Sequence, residues 1–236
     1  MIDRVGAHPI AALALLMCSG CGGAAPVASP EQAHGGDTAG GVEPVVPERP
    51  CPEPPDQLRG EGAVGPLTAK CEAGELEACE RACGQDDADG CAAYAHVMQK
   101  TDREQAVQLY FRACELGSAN GCTNYGATIR LGFDGEVTPG EHECALDLFD
   151  RACKVDDIWA CGMLGQAFAR GEGVEPNPKF AESVLVGACD RIGYFACSML
   201  AQLYDDGYLE PPDPEAAARA RARACETGYE PACPAK

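Results

Sequence analysis

From about residue 67 onward, small and apolar residues fall on a frame set by cysteines eight positions apart. Counting on from the second cysteine of a pair, position +3 holds Tyr94, Tyr125, Leu164 and Leu200, and position +7 holds Met98, Ile129, Phe168 and Tyr204. Position +4 is always small: Ala95, Gly126, Gly165 and Ala201. Apolar residues at +3 and +7 around a small one describe one buried helical stripe. Counting back from the first cysteine gives a second stripe. Alanine stands eight before it (Ala106, Ala145, Ala181, Ala217) and one before it (Ala113, Ala152, Ala188, Ala224), with Leu109, Leu148, Val184 and Ala220 five before. Turn-rich runs such as "RGEGVEPNP" at 170–178 separate the two helices. The first cysteines recur at Cys114, Cys153, Cys189 and Cys225, so the unit is 36 to 39 residues long. These patterns predict an all-α fold, an α-solenoid of antiparallel helix pairs in which each pair buries its apolar face on its neighbours.

Ahead of the repeats the pattern dissolves. Residues 22–66 hold nine prolines and nine glycines with few large apolar side chains, a composition expected of a disordered tether. Before it, "IAALALLM" at 10–17 is an apolar run too short to span a bilayer and is typical of a signal-peptide core. The run leads into "LLMCSGCGG", which resembles a bacterial lipoprotein lipobox. Cys21, after Ser19 and Gly20, is the expected lipidation site, with Cys18 the alternative. The domain reading is therefore a lipoprotein signal peptide at 1–20, a Pro/Gly-rich tether at 21–66, and the solenoid at 67–236, a short N-terminal cap plus about four repeats. It places the protein on a bacterial cell envelope, lipid-anchored at the outer membrane or facing the periplasm, or else secreted.

Sixteen cysteines in 236 residues call for an oxidising compartment, because a reducing cytosol would keep them as thiols. A formal charge of −19 argues against nucleic acid and against an anionic membrane surface as partners, so the membrane contact expected is the lipid anchor alone. Six pairs share the C-x7-C spacing: Cys71–Cys79, Cys83–Cys91, Cys114–Cys122, Cys153–Cys161, Cys189–Cys197 and Cys225–Cys233. Three chemistries compete for them. Structural zinc uses cysteines two to four apart with a second pair nearby, and the histidines at 8, 34, 96 and 142 form no cluster, so no metal is expected. Redox catalysis uses a closer pair with one activated thiol. A pair repeated six times in register reads as a structural disulfide, each closing an eight-residue loop worth about 2.5 kcal/mol by chain entropy. Cys51 and Cys144 stand outside this register. They pair with each other, stay as thiols, or bridge two molecules, and Cys144 is expected on the surface.

The stretch "CGMLGQAFARGEGVEPNPKFAESVLVGAC" at 161–189 resembles the Sel-one-like repeat (SLR) family, a relative of the tetratricopeptide repeat. The family's small-residue helix, G-x-G-V turn and second helix opening on a basic residue and alanine correspond to Leu164-Gly165, Gly171 to Val174, and Lys179-Phe180-Ala181. The added cysteines are similar to those of cysteine-rich SLR proteins, some of which are associated with β-lactam binding or hydrolysis. That implies a β-lactam-binding or β-lactamase-like hydrolase as the alternative function. The residues do not favour it. No serine is followed by lysine at the third position, "KTD" at 100–102 lacks the glycine of K-T-G, and no nucleophile elbow or Walker A motif occurs. No catalytic residue and no cofactor is therefore expected. The main expectation is a scaffold that binds an unidentified protein or peptide. Trp159 and Phe195, each two before a second cysteine in adjacent repeats, are the candidate contact residues unless they pack over a neighbouring helix.

Overall fold

The computed structural model describes residues 49–60, 62, 64–132, 137–191 and 193–233. Ten α-helices follow one another: α1 (Pro66–Glu72), α2 (Leu76–Gly84), α3 (Ala88–Met98), α4 (Arg103–Glu115), α5 (Ala119–Leu131), α6 (Pro139–Cys153), α7 (Ile158–Arg170), α8 (Pro178–Asp190), α9 (Tyr194–Asp205) and α10 (Pro214–Glu226), with a closing 3₁₀ turn η1 (Glu230–Ala232). Each helix packs on its sequence neighbours. The odd-numbered helices also contact the next odd one from α1 to α9, so they form a layer of their own. This is the all-α solenoid of helix pairs expected from the periodicity.

The eight-residue cysteine spacing follows from how one helix end becomes the next helix start. Four residues after each first cysteine, a backbone N–H donates to the carbonyl one residue before that cysteine. The six bonds, from Glu75, Asp87, Ser118, Asp157, Gly193 and Tyr229 to Lys70, Ala82, Ala113, Ala152, Ala188 and Ala224, are 2.9 to 3.2 Å long. In five of these turns the residue before the donor also donates to the first cysteine's own carbonyl, from Gly74, Asp86, Gly117, Asp156 and Gly228. These two bonds make a Schellman ending, whose penultimate residue needs positive φ. Those five residues have φ of +57° to +109°, and the corresponding residue of the sixth turn, 192, lies outside the described residues. The last residue of the ending then serves as N-cap of the next element. Asp87, Ser118 and Asp157 accept from the N–H groups of Gly90, Gly121 and Ala160. One more helical turn brings the second cysteine, whose N–H donates to that cap's carbonyl in five of the six turns. The spacing is thus four residues to the shared cap and four beyond it. It brings the Cα atoms within 4.3 to 4.9 Å, and all six pairs are joined. The link between helices is only three or four residues long, shorter than the seven-residue turn implied by the spacing, because both cysteines lie inside the elements they join. The last pair is the exception, with Cys233 directly after η1.

Leu148 and Ala220, five before the first cysteine, are buried as the sequence frame places them, whereas in α4 and α8 the buried stripe is centred one residue later. Four before the first cysteine, Tyr110, Phe149 and Leu185 are 0 to 1% exposed, deeper than Leu109 and Val184 five before. These large side chains meet the small residue of the preceding helix. A Cβ on Gly126 would lie 2.9 Å from the Phe149 ring, and one on Gly165 would lie 2.5 Å from Leu185. Glycine there lets the two helices close, and even one methyl would overpack the contact.

Residues 49–60 depart from the expected tether over 21–66. They form a strap fixed to the solenoid by both backbone and side chains. The Tyr125 hydroxyl donates to the Pro50 carbonyl at 2.6 Å, and the Arg151 guanidinium donates to the Pro54 and Pro55 carbonyls at 2.9 and 2.6 Å. Farther along, the Arg59 N–H donates to Gly117 and the Ala119 N–H donates to Arg59, at 2.8 and 3.0 Å, forming an isolated parallel bridge. Pro52, Pro54 and Leu58 are buried while the residues between Pro52 and Pro54 and on either side of Leu58 face solvent. Proline suits such a strap because it has no N–H to leave unpaired against a helical surface, and its carbonyl remains available to a donor. Cys51 is joined to Cys144, with Cα atoms 5.8 Å apart. Cys144 is 8% exposed, not on the surface as expected. It adjoins Ala145 on the buried edge of α6, and the strap covers it. The signal peptide at 1–20, Cys18, Cys21 and the tether before residue 49 lie outside the described residues.

Candidate functional site

Trp159 and Phe195 stand in the first turns of α7 and α9, at the same register of neighbouring repeats. Their rings meet edge to face with centroids 6.3 Å apart. Phe195 leans on α7 at Gly162, where an added Cβ would fall 2.6 Å from the ring. Trp159 remains 37% exposed. The phenylalanine thus packs over the neighbouring helix, and the tryptophan stays half open beside it.

The two rings form one end of a groove of about 380 Å³ that runs across α5 to α4. Its floor includes Tyr110, Met163 and Ala127, and Leu131, 66% exposed, stands at its side. Two arginines, Arg103 and Arg130, are among the lining residues, and no carboxylate of the described residues is, although the chain carries 37 acidic residues. Arg130 was not foreseen from sequence. It is 8% exposed, donates to the Gln166 side chain at 2.6 Å, and is ion-paired with Glu172 from the α7–α8 turn. This ties the C-terminal ends of α5 and α7 together beneath the groove. A buried pair of this kind rewards geometry more than it adds stability. The Tyr110 hydroxyl, also unforeseen, is buried without a hydrogen-bond partner among the described residues. Burial pushes its pKa up to about 12, so the phenol stays neutral and keeps an unused donor at the groove floor.

A second groove of about 460 Å³ lies where the end of the strap passes α3 and α5, lined by Arg59, Asp89, His96 and Asp157 among others. Two of its three carboxylates are already employed. Asp89 accepts from the Ser118 hydroxyl and Asp157 from the Thr123 hydroxyl, both at 2.9 Å. Asp157 also caps α7. Among the described residues, no group of three or more His, Cys, Asp or Glu side chains is placed to hold a metal ion. None of the helices described is long and apolar enough to cross a membrane.

Three of the helix pairs match the Sel1 repeat, and the fold they belong to is the SLR fold. The Sel1 repeat family model matches residues 93–118, 160–182 and 195–219, each range running from an odd-numbered helix into the even-numbered one that follows. The ranges pass over the pair α5 and α6. Among curated proteins the chain is similar to cytochrome c oxidase assembly factor 7A of Xenopus laevis, 32% identical over 92 residues, and to cytochrome c oxidase assembly factor 7 of Xenopus tropicalis, 31% identical over 91 residues. The matched part is 39% of this chain and 39% and 38% of theirs, so the chain spans about two fifths of the length of these relatives. Two crystal structures share the fold. A Sel1 repeat protein from Oxalobacter formigenes superposes with a TM-score of 0.61 at 19% identity, over 70% of each chain. A protective antigen of uropathogenic Escherichia coli with an SLR fold superposes with a TM-score of 0.58 at 24% identity, over 66% of this chain and 34% of that one.

Proposed function

We propose that this protein is a disulfide-stapled scaffold that holds a protein or peptide partner in the groove between Trp159 and Tyr110, on the outer side of a bacterial membrane. The observation that carries the reading is the groove itself. It offers a half-exposed tryptophan beside a packed phenylalanine, and among the described residues no acidic side chain lines it in a strongly acidic chain. Aromatic anchors backed by rigid packing are where binding energy concentrates in interfaces. The Sel1 repeats support a protein–protein role, and two relatives are named as assembly factors, which fits a scaffold better than a catalyst. Seven disulfides support an oxidising compartment. Lipidation of Cys21, or of Cys18, is the anchoring part of the proposal. The β-lactam alternative gains no support from the grooves, since among the described residues neither serine nor lysine lines either of them.

Crosslinking in intact envelopes, comparing the natural chain with Trp159→Ala/Phe195→Ala, tests the binding part. Loss of a hot-spot pair lowers affinity by about 30-fold or more, so recovery of a specific crosslinked partner should collapse while the solenoid stays folded. An identical partner set at equal recovery would end the reading. Intact-mass analysis of the mature protein tests the anchor, and an unacylated mass would remove it.

A further inference from the structure

We propose that Cys51–Cys144 is a thiol–disulfide exchange site for a dithiol reductant, and that its opening releases the strap while the six register disulfides stay closed. The two kinds of disulfide differ in access and in what holds their sulfurs together. Of the fourteen cysteines joined in the described residues, Cys51 alone is exposed, and Cys153, Cys225 and Cys233 are partly so. The register cysteines from Cys71 to Cys122, with Cys161, Cys189 and Cys197, are 0 to 5% exposed, so a thiolate reaches them only through local unfolding. Within each register pair both partners are also fixed by the helix ending and cap that surround them. If such a pair is reduced, its thiols remain side by side and close again at high effective concentration. Cys51 has no such frame. After reduction its position depends on the few strap contacts: the carbonyls held by Tyr125 and Arg151, the bridge at Arg59, and the buried Pro52, Pro54 and Leu58.

The exchange balances in two steps. A reductant thiolate attacks the Cys51 sulfur, forming a mixed disulfide as the Cys51–Cys144 bond breaks, and the electron pair leaves on Cys144, which takes a proton from water. The reductant's second thiol then gives up its proton and attacks its own sulfur in the mixed disulfide. Cys51 leaves as a thiolate and is protonated, and the reductant departs as its internal disulfide. Two electrons have passed to the protein. An exposed disulfide whose reduced form is not held in place is the labile kind. Cys225–Cys233 is partly exposed on both sides but is framed by α10 and η1, so it is next in order.

The test equilibrates the full chain in dithiothreitol buffers of graded reduced-to-oxidised ratio, alkylates the free thiols, and maps them by mass spectrometry. Hydrogen exchange is followed at the Arg59 and Ala119 amides in parallel. Cys51 and Cys144 should become labelled at a ratio at least ~10-fold lower than any register cysteine, with protection at Arg59 and Ala119 falling in the same step. Labelling of a register pair first or together with them would overturn the proposal. So would labelling of Cys51 and Cys144 with the Arg59 and Ala119 amides still protected.

Discussion

The turns and the strap are both closed by disulfides, but they use them in opposite ways. At each turn the bond spans eight residues and joins two helices that backbone hydrogen bonds already hold together. In the strap the bond spans 93 residues and fastens an extended segment that has no secondary structure beyond one bridge. In the first case the bond reinforces a local geometry, whereas in the second it supplies much of the geometry. The difference separates two quantities that are easily confused. How much a disulfide stabilises the fold depends on the loop it closes in the unfolded chain. How readily it is reduced depends on how firmly the native structure holds the two sulfurs together and how well it shields them.

Removing the two kinds of bond should make that separation visible in urea unfolding. Replacing Cys51 and Cys144 by alanine removes closure of a 93-residue loop, for which the chain-entropy ceiling is about 4.7 kcal/mol. Replacing Cys114 and Cys122 removes an eight-residue loop worth about 2.5 kcal/mol by the same model. The ceiling is reached only where the native fold still holds the two positions together without the bond, so the strap bond, which opens first in reductant, should fall furthest short of its ceiling. Losses that both match their ceilings would show that the strap stays docked without its disulfide, against the release inferred above.

A smaller effect should come from Tyr125→Phe, which removes the donor to Pro50 and about 1 kcal/mol of strap docking. It should lower protection at Arg59 and Ala119 and leave the register turns untouched. Alkaline pH should act on the same contact. Burial pushes the Tyr125 pKa up to about 12, against 10 in the unfolded chain, as it does for Tyr110 in the core. The neutral phenol is the form the fold prefers, so this contribution is intact below pH 10 and is lost as pH rises from 10 through about 12. Stability measured across that window should fall in the natural chain, and less steeply in Tyr125→Phe.

Much of this was legible in sequence, for reasons specific to the residues. Alanine before five of the six first cysteines and a small residue at 95, 126, 165 and 201, four after a second one, disclose the helices, because those positions meet another helix. The positive-φ residue of the turn was half visible. Gly74, Gly117 and Gly228 mark it, but Asp86 and Asp156 take the same conformation in two other turns and carry no such signal. Tyr110, Phe149 and Leu185 were overlooked because Leu109, Leu148 and Val184 beside them make an equally apolar stripe, and only packing decides which lies at the centre. Trp159 and Phe195 were found by register, but the groove between them and Tyr110 was not, since it is assembled from four helices. The strap was misjudged most. Its prolines signal a chain without helix or sheet, and nothing in composition distinguishes a solvated segment from one whose carbonyls are caught by Tyr125 and Arg151 far along the chain.

The central claim is that one bond departs from six that repeat a single local design. Mapping the disulfides of the native protein by non-reducing digestion and mass spectrometry tests it most directly. The expected result is six linkages between cysteines eight apart, from Cys71–Cys79 to Cys225–Cys233, and one between Cys51 and Cys144. Thiols at any of these fourteen positions, or links that join one turn to another, would contradict it.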